Sequence, residues 1–251
     1  MDAVVLIPAR YASTRLPGKM LLSRTGKPLI RHTIESVRPA RRVERVVVAT
    51  DDERIAEAAR AAGAEAVQTR ADHASGSDRL AEAVERLGLE EDRIIVNVQG
   101  DEPELPPGLV DRLVERLEGS DAPMATLCAP LSEEEASDAN RVKVVLDGAG
   151  QALYFSRAAI PHDRDGEGAV RRFLHLGVYA YRAGFLRTFA GLPPTPLERA
   201  EKLEQLRALE HGYRIAVAVV EYDGVGVDTS EDYDRFVERV RSRLAAGAGG
   251  P

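Results

Sequence analysis

The chain has 251 residues, of which 44% are hydrophobic and 30% are charged, a composition typical of a globular protein. Its 41 acidic and 34 basic residues give a net charge of -7, which argues against a general nucleic-acid binder, because such proteins carry a basic stripe. No apolar run approaches the ~20 residues of a membrane span, and the first residues lack the charged segment of a signal peptide. Since Cys128 is the only cysteine, no intrachain disulfide can form, and we expect a cytoplasmic enzyme.

The first half of the chain alternates strand patterns with helix patterns. The predicted strands are 3–7, 43–49, 64–68 and 93–98, and the predicted helices are 27–37, 52–62, 77–87 and 107–118. The strand segments are nearly continuous Val/Ile-rich runs, which are typical of parallel strands covered on both faces. The pattern therefore predicts an α/β fold with a doubly wound, mixed and mostly parallel sheet.

The second half has strand patterns without long helices between them. Residues 141–147, 151–156 and 173–181 predict antiparallel strands that form an edge or a small flap on the main sheet. A charged helix is predicted at 197–211, a strand at 213–220 and a closing helix at 230–244. No segment has the composition of a long linker, so the prediction is one domain over residues 1–251.

A cationic loop follows the first predicted strand. It carries Arg10, Arg15 and Lys19, and Pro8 and Pro17-Gly18 interrupt it. Arginine and lysine side chains both suit phosphate oxygens, so a polyphosphate is the obvious ligand. The segment matches neither the Walker A pattern nor the Gly-x-Gly-x-x-Gly dinucleotide pattern. The alternative is a solvated basic loop, which its place at the carboxyl end of a strand makes less favoured.

Carboxylates follow other predicted strands. Asp101 and Glu102 come after the strand 93–98, which places them at the same sheet edge as the cationic loop. A carboxylate beside a triphosphate suits Mg²⁺, although an acidic turn before a helix is the simpler alternative. Asp228 is a second candidate ligand, and a turn aspartate is the alternative there. Thr229 is explained by capping of the last helix.

Further polar segments interrupt apolar patterns. The turn at 73–79 exposes backbone N–H groups that suit a base edge or an anion, and Ser75 or Ser77 also fits a helix cap. Arg157, His175 and Gln205 are candidates for a site that binds a polyhydroxylated acid. Glu201 is expected to face solvent, and Glu204 to pair with Arg207 or with substrate hydroxyls.

Taken together, the motif segments resemble those of the 3-deoxy-manno-octulosonate cytidylyltransferase (CMP-Kdo synthetase) family over nearly the full chain. The matching segments are Ile7-Pro-Ala-Arg-Tyr-Ala-Ser-Thr-Arg-Leu-Pro-Gly-Lys19, Ala49-Thr-Asp-Asp52, His73-Ala-Ser-Gly-Ser-Asp-Arg79, Asn97-Val-Gln-Gly-Asp-Glu-Pro103, Tyr154-Phe-Ser-Arg157, His175-Leu-Gly-Val-Tyr179, Leu203-Glu-Gln-Leu-Arg207 and Gly226-Val-Asp-Thr229. Their common order makes the signal much more specific than any single segment.

The resemblance implies an enzyme that transfers CMP from CTP to the anomeric hydroxyl of Kdo with Mg²⁺, releasing pyrophosphate and giving CMP-Kdo for lipopolysaccharide assembly. It implies nucleotide-binding roles for Pro8, Ala9, Arg10, Arg15, Lys19, Ser75, Gly76 and Arg79, with Arg10, Lys19 and Asp101 catalytic and Asp101 and Asp228 as metal ligands. It implies sugar-binding roles for Gln99, Arg157, His175, Tyr179, Glu204 and Gln205. It also implies a homodimer, with residues 141–200 as the sugar-binding and dimerisation subregion.

Two alternatives remain open from the sequence. One is a cytidylyltransferase for another 2-keto sugar acid, of the 8-amino-Kdo or sialic acid type. The other is a nucleotide-binding domain without catalysis, which the presence of both candidate metal carboxylates and of the loop cations disfavours.

Overall fold

The computed structural model describes residues 2–12, 16–166, 171–222, 224 and 226–247. The strands are β1 (Ala3–Ala9), β2 (Val43–Thr50), β3 (Glu65–Gln68), β4 (Ile94–Asn97), β5 (Met124–Leu131), β6 (Lys143–Leu146), β7 (Ala152–Ser156), β8 (Arg172–Arg182) and β9 (Ile215–Val219). The helices are α1 (Leu29–Val37), α2 (Glu53–Ala61), α3 (Gly76–Arg86), α4 (Pro107–Glu118), α5 (Glu133–Ala136), α6 (Ala183–Gly191), α7 (Pro196–Glu201), α8 (Gln205–Glu210) and α9 (Ser230–Gly247), and a 3-10 turn spans Lys19–Leu21.

The chain divides into two compact units. The first unit comprises Asp2–Gly88, Val98–Val110 and Asp223–Pro251, and the second comprises Leu89–Asn97 and Asp111–Tyr222. The chain passes between them more than once, so each unit is assembled from segments that are distant in sequence. The predicted site residues are accordingly divided between the units.

The first unit contains the parallel strands β3, β2 and β1, in that order. Residues 3–7 of β1 are fully buried, as their continuous apolar run predicts. Helix α9 packs on α1 through a cluster that joins Leu29 to Tyr233 and Phe236. The strand β1 continues two residues past its predicted end, through Pro8 to Ala9, which lies opposite Thr50 of β2. The φ angle of proline suits an extended strand, so Pro8 does not end it.

The second unit has a mixed sheet. Strand β8 pairs antiparallel with both β4 and β5, and β5 pairs parallel with β9. Strand β6 pairs antiparallel with β7 and β8, which confirms the antiparallel strands predicted for residues 141–181. The predicted fold class, a mixed α/β sheet with parallel strands and a smaller antiparallel part, is confirmed.

The helix predicted over residues 197–211 is wrong. Two short helices, α7 and α8, occupy this stretch, because Lys202 adopts a left-handed conformation with φ 55. A left-handed residue ends a helix, and here it allows the next residue, Leu203, to be buried. The sequence reading also missed α6, whose short segment contains glycine at both ends.

Among the residues that the structure describes, no helix has the length and apolar character needed to cross a membrane.

Candidate functional site

A pocket of about 240 Å³ opens in the first unit where β1 ends. Its lining residues come from the carboxyl end of β1, the 3-10 turn, the start of α3 with the turn before it, and the segments that follow Val98 and Gly226. They are Pro8, Ala9, Arg10, Lys19, Met20, His73, Ala74, Ser75, Gly76, Arg79, Gln99, Gly100, Asp101 and Asp228. Every residue predicted for the nucleotide and the metal therefore lines this pocket, except Arg15, which lies outside the described residues.

In the pocket wall, Gly100 permits a close contact, whereas a Cβ atom at Gly76 would make an ordinary van der Waals contact. A Cβ atom at Gly100 would lie 2.8 Å from the Sδ of Met20 and 3.4 Å from the carbonyl oxygen of Pro8. The carbonyl of Gly100 accepts a hydrogen bond of 2.8 Å from the buried Oγ1 of Thr33 on α1. A Cβ atom at Gly76 would lie 3.7 Å from Pro8. Glycine at position 100 thus allows the chain to pass next to the end of β1.

A backbone hydrogen bond joins the two described parts of the cationic loop. The N–H of Gly18 donates to the carbonyl of Tyr11 over 3.3 Å, and Gly18 has a φ of 65, a conformation that favours glycine. The 3-10 turn that follows buries Lys19, whereas Arg10 is exposed. The two cations therefore differ: one is held inside the pocket and the other faces solvent at its rim.

Lys19 lies between the two predicted metal carboxylates. Its Nζ donates to Asp101 Oδ2 over 2.5 Å, to Asp228 Oδ1 over 3.1 Å and to the carbonyl of Val227 over 3.2 Å. The N–H of Val227 in turn donates to the carbonyl of Asp101 over 2.8 Å, so the segments carrying the two acids are joined by backbone as well. The sequence predicted both acids and the lysine but assigned Lys19 to phosphate, and it did not predict that one ammonium would bridge the acids.

The turn before α3 both caps the helix and lines the pocket. Ser75 is the N-cap, and its Oγ accepts from the N–H of Asp78 while the Asp78 carboxylate accepts from the N–H of Ser75. Of the two residues predicted as the cap, Ser75 rather than Ser77 occupies the N-cap position of α3. The exposed backbone N–H groups of this turn therefore belong to a helix start that its own sequence stabilises.

Arg79 is buried beside the pocket with two partners. Its Nη1 donates to Thr69 Oγ1 over 2.5 Å and lies 3.3 Å from Asp51 Oδ1. Burial lowers the pKa of Arg79, and the charge of Arg10 lowers it further, whereas Asp51 opposes the shift. A guanidinium held this rigidly is suited to read one edge of a base.

The sequence reading did not assign a role to His73, which also lines the pocket. Its Nε2 bonds to the Glu82 carboxylate, which also accepts from the N–H of Arg70 and from the guanidinium of Arg86. Burial favours protonation of Glu82, but these hydrogen bonds outweigh it and lower its pKa to about 2. Met20, Ala74 and Gly100 were missed as well, although each is adjacent to a predicted residue.

The predicted sugar residues are divided between the units. Gln99 lines the pocket of the first unit, and the others lie in the second. On β8 the rings of His175 and Tyr179 are 5.4 Å apart, and His175 Nε2 lies 3.1 Å from Thr126 Oγ1. Burial lowers the pKa of His175 to about 3 and raises the pKa of Tyr179 well above its usual value. Both side chains are therefore neutral at pH 7.

Gln205 and Glu204 lie at the start of α8. Gln205 is buried, and Glu204 Oε1 lies 3.7 Å from the Nη2 of Arg207. The predicted pairing of Glu204 with Arg207 is thus present at a long distance. The shorter ion pair of Arg207, at 2.5 Å, is with Glu198.

The expectation that Glu201 faces solvent is wrong. Its carboxylate accepts from Ser156 Oγ over 2.6 Å and from the N–H of Arg157 over 2.9 Å. Its carbonyl accepts from Arg157 Nε over 2.7 Å. The helical pattern gave no signal of this, because Glu201 is the last residue of α7 and its partners are on a strand distant in sequence.

Comparisons with known proteins were made against families and solved structures. The family described as cytidylyltransferase matches residues 4–215. A CMP:2-keto-3-deoxy-manno-octonic acid synthetase complexed with CTP matches at 42% identity and a TM-score of 0.91, covering 97% of this chain and 100% of that chain.

Two more distant structures have the same fold. A cytidylyltransferase from Leptospira borgpetersenii serovar Hardjo-bovis (strain JB197) matches at 19% identity and a TM-score of 0.65, covering 96% of this chain and 88% of that chain. A 4-diphosphocytidyl-2C-methyl-D-erythritol synthase matches at 16% identity and a TM-score of 0.63, covering 94% of this chain and 97% of that chain. At these identities the likeness shows the fold alone.

Proposed function

The chain belongs to the cytidylyltransferase family, and we propose that it transfers CMP from CTP to the anomeric hydroxyl of Kdo, giving CMP-Kdo and pyrophosphate. The hydroxyl oxygen forms a bond to the α-phosphorus, and the bond between that phosphorus and the oxygen of the β-phosphate breaks. Pyrophosphate leaves, and the hydroxyl proton is released. The observation that carries the proposal is the convergence of Arg10 and Lys19 with Asp101 and Asp228 in one pocket, in a chain 42% identical to a synthetase complexed with CTP.

The pocket offers complementary groups for a nucleoside triphosphate. Arg10 and Lys19 neutralise the charge that builds on the leaving pyrophosphate, with Arg15 as a further cation and the backbone of Pro8 and Ala9 alongside. Phosphoryl transfer depends on positioning and charge stabilisation more than on a protein nucleophile. The cytosine contacts are assigned to the remaining nucleotide residues, Ser75, Gly76 and Arg79.

Asp101 and Asp228 fit a magnesium ion. In the described residues no cluster of three or more His, Cys, Asp or Glu side chains is arranged for a metal. Mg²⁺ nevertheless suits a pair of carboxylates, because it keeps several waters and completes its coordination with substrate phosphates. The close approach of both acids to one ammonium supports the proposal that they share a cation. When bound, Mg²⁺ would lower the pKa of the attacking hydroxyl and offset the phosphate charge.

The sugar acid is assigned to Gln99 and to the polar residues of the second unit. Arg157 would bind the carboxylate, because a guanidinium matches its two oxygens. Neutral His175 and Tyr179 offer hydrogen bonds to hydroxyl groups without a net charge. Glu204 and Gln205 would accept from or donate to the remaining hydroxyls.

The biological setting follows from the same proposal. CMP-Kdo is an activated sugar. We therefore propose that the enzyme acts in the cytoplasm and supplies CMP-Kdo for lipopolysaccharide assembly. We also propose a homodimer that uses the subregion 141–200. A sedimentation measurement at micromolar concentration tests the dimer independently of the reaction.

Release of pyrophosphate from CTP tests the function directly. We expect release that requires both Kdo and Mg²⁺, and a product with the mass of CMP-Kdo. A panel with 8-amino-Kdo and sialic acid in place of Kdo distinguishes the acceptor. Faster turnover with another acid would change the acceptor and keep the reaction, whereas no release with any acid would overturn the function.

A further inference from the structure

A partly buried hydrogen-bond network surrounds Arg157 in the second unit. It comprises Lys143 at the start of β6, Ser156 at the end of β7 and Glu201 at the end of α7. We propose that Lys143 and Glu201 are positioning residues that hold the Arg157 guanidinium ready for the carboxylate of the sugar acid. This inference rests on the proposed function and assigns a role to two residues outside the predicted site.

Lys143 stabilises the backbone at Arg157. Its side chain is fully buried, and its Nζ donates to the carbonyl of Arg157 over 2.6 Å and to the carbonyl of Asp138 over 2.9 Å. Both of these acceptors are neutral carbonyls. Burying an ammonium against carbonyls is costly where an apolar side chain would pack equally well, so packing alone does not explain this lysine.

The pKa of Lys143 is consistent with that cost. Burial lowers the pKa of its ammonium most, and the nearby charge of Arg157 lowers it as well, while Asp138 and Glu201 oppose the shift. The two cations therefore lie close enough to interact.

Glu201 fixes the orientation of Arg157 from the other side. Its carboxylate accepts from the Arg157 N–H over 2.9 Å and from Ser156 Oγ over 2.6 Å, and its carbonyl accepts from Arg157 Nε over 2.7 Å. Burial would raise the pKa of Glu201, but the hydrogen bonds from Ser156 and Arg157 lower it below its usual value. Glu201 is therefore ionised at pH 7.

The guanidinium is fixed without being neutralised. Nε donates to the carbonyl of Glu201, and Nη1 donates to the carbonyl of Ala139 over 3.0 Å. These acceptors are backbone oxygens, and the Glu201 carboxylate accepts from the backbone N–H of Arg157 rather than from its guanidinium. We assign Nη2 to the substrate carboxylate. A guanidinium ordered in advance loses less entropy when the ligand binds.

Steady-state kinetics of Glu201→Gln and Lys143→Met test the positioning. In Glu201→Gln the shape is kept, the negative charge is removed and one acceptor oxygen becomes a donor, so the charge-assisted hydrogen bonds from Ser156 and Arg157 are weakened. We expect the KM for Kdo to rise about tenfold in each variant, because such a network bond is worth roughly 1.4 kcal/mol. The KM for CTP should change less than twofold.

Glu210→Gln is the matched control. The Glu210 carboxylate accepts from the N–H groups of Leu197 and Glu198 at the start of α7 rather than from Arg157, so the KM of this variant for Kdo should stay at the wild-type value. The melting temperature of each variant separates lost folding from lost positioning. If Lys143→Met unfolds the protein, the milder variant Glu201→Gln still tests the positioning role.

A double-mutant cycle shows whether Glu201 acts through Arg157. If it does, Glu201→Gln should raise the KM for Kdo in the wild-type background and leave it unchanged when Arg157 is already alanine. An equal increase in both backgrounds, an equal rise in the KM for CTP, or no change at all would overturn the positioning role. Absence of turnover in the wild-type protein would instead overturn the proposed function.

Discussion

Replacing Lys19 by methionine should increase the affinity of the nucleotide-free protein for a divalent metal. The ammonium lies 2.5 Å from an oxygen of Asp101 and 3.1 Å from an oxygen of Asp228. A metal that binds both carboxylates must first displace it. Methionine has a similar volume and no charge, so the variant leaves the two acids facing each other without a cation.

The magnitude follows from the exposure of the ion pairs. Two unit charges 4 Å apart attract by about 4 kcal/mol at an effective dielectric constant of about 20. The side chain of Lys19 is only 11% exposed, but those of Asp101 and Asp228 are 25% and 46% exposed, so water screens the attraction. We therefore reduce the effect to roughly 1.4–2.8 kcal/mol, which corresponds to about 10–100-fold tighter metal binding.

Titration with Mn²⁺, followed by electron paramagnetic resonance without nucleotide, measures this change. Lys27→Met is the control, since Lys27 pairs with Glu35 and does not line the pocket. Adding Asp101→Asn to the Lys19→Met variant should remove the gain. If Lys19→Met binds Mn²⁺ no more tightly than the wild-type protein, or if Lys27→Met gains as much, the assignment of the carboxylate pair to a metal is refuted.

Three other outcomes are expected. Asp101→Asn should nearly abolish pyrophosphate release while the circular dichroism spectrum is kept, and near-normal turnover at ordinary Mg²⁺ would contradict its role. Gly100→Ala should lower stability by about 1–3 kcal/mol, because its Cβ would lie 2.8 Å from Met20 Sδ, and urea unfolding should show partial recovery when Met20 is also made alanine. Burial, aided by the charge of Lys27, lowers the pKa of His32 from 6.5 to about 4. Its protonation therefore favours the unfolded state. The stability contributed by His32 should fall as the pH drops from 6.5 toward 4, by roughly 2 kcal/mol at pH 5. In urea titrations, His32→Gln should remove that part of the pH dependence.

Local sequence signals predicted most of the first unit. The apolar run at residues 3–7 and the capping residues Asp52 and Ser75 determine where strands and helices begin, and the structure has them close to those positions. These signals act over a few residues, so they can be read without knowing the fold. Strand ends and glycine-containing turns indicated the sheet edge at which the pocket lies, whereas the resemblance of the motif segments supplied the individual nucleotide-binding residues.

The errors lie where contacts between distant segments decide the structure. The charged pattern of residues 197–211 is compatible with one helix, and only the burial of Leu203 explains why the chain breaks at Lys202. Glu201 has the same explanation, since its partner Arg157 is 44 residues away. No periodicity within a segment reports such a partner.

We also expect Lys19 to couple nucleotide binding to metal binding. One ammonium cannot contact both carboxylates and a phosphate as closely as it now contacts the acids, so a triphosphate that attracts Lys19 leaves Asp101 and Asp228 available to a cation. CTP should therefore tighten metal binding, and by thermodynamic reciprocity the metal should tighten CTP binding by the same factor. In Lys19→Met the acids are available from the start, so this part of the coupling should vanish. Measured Mn²⁺ affinities with and without CTP should then differ less in the variant than in the wild-type protein, and an equal or larger difference would assign the coupling to direct contact between metal and phosphate alone.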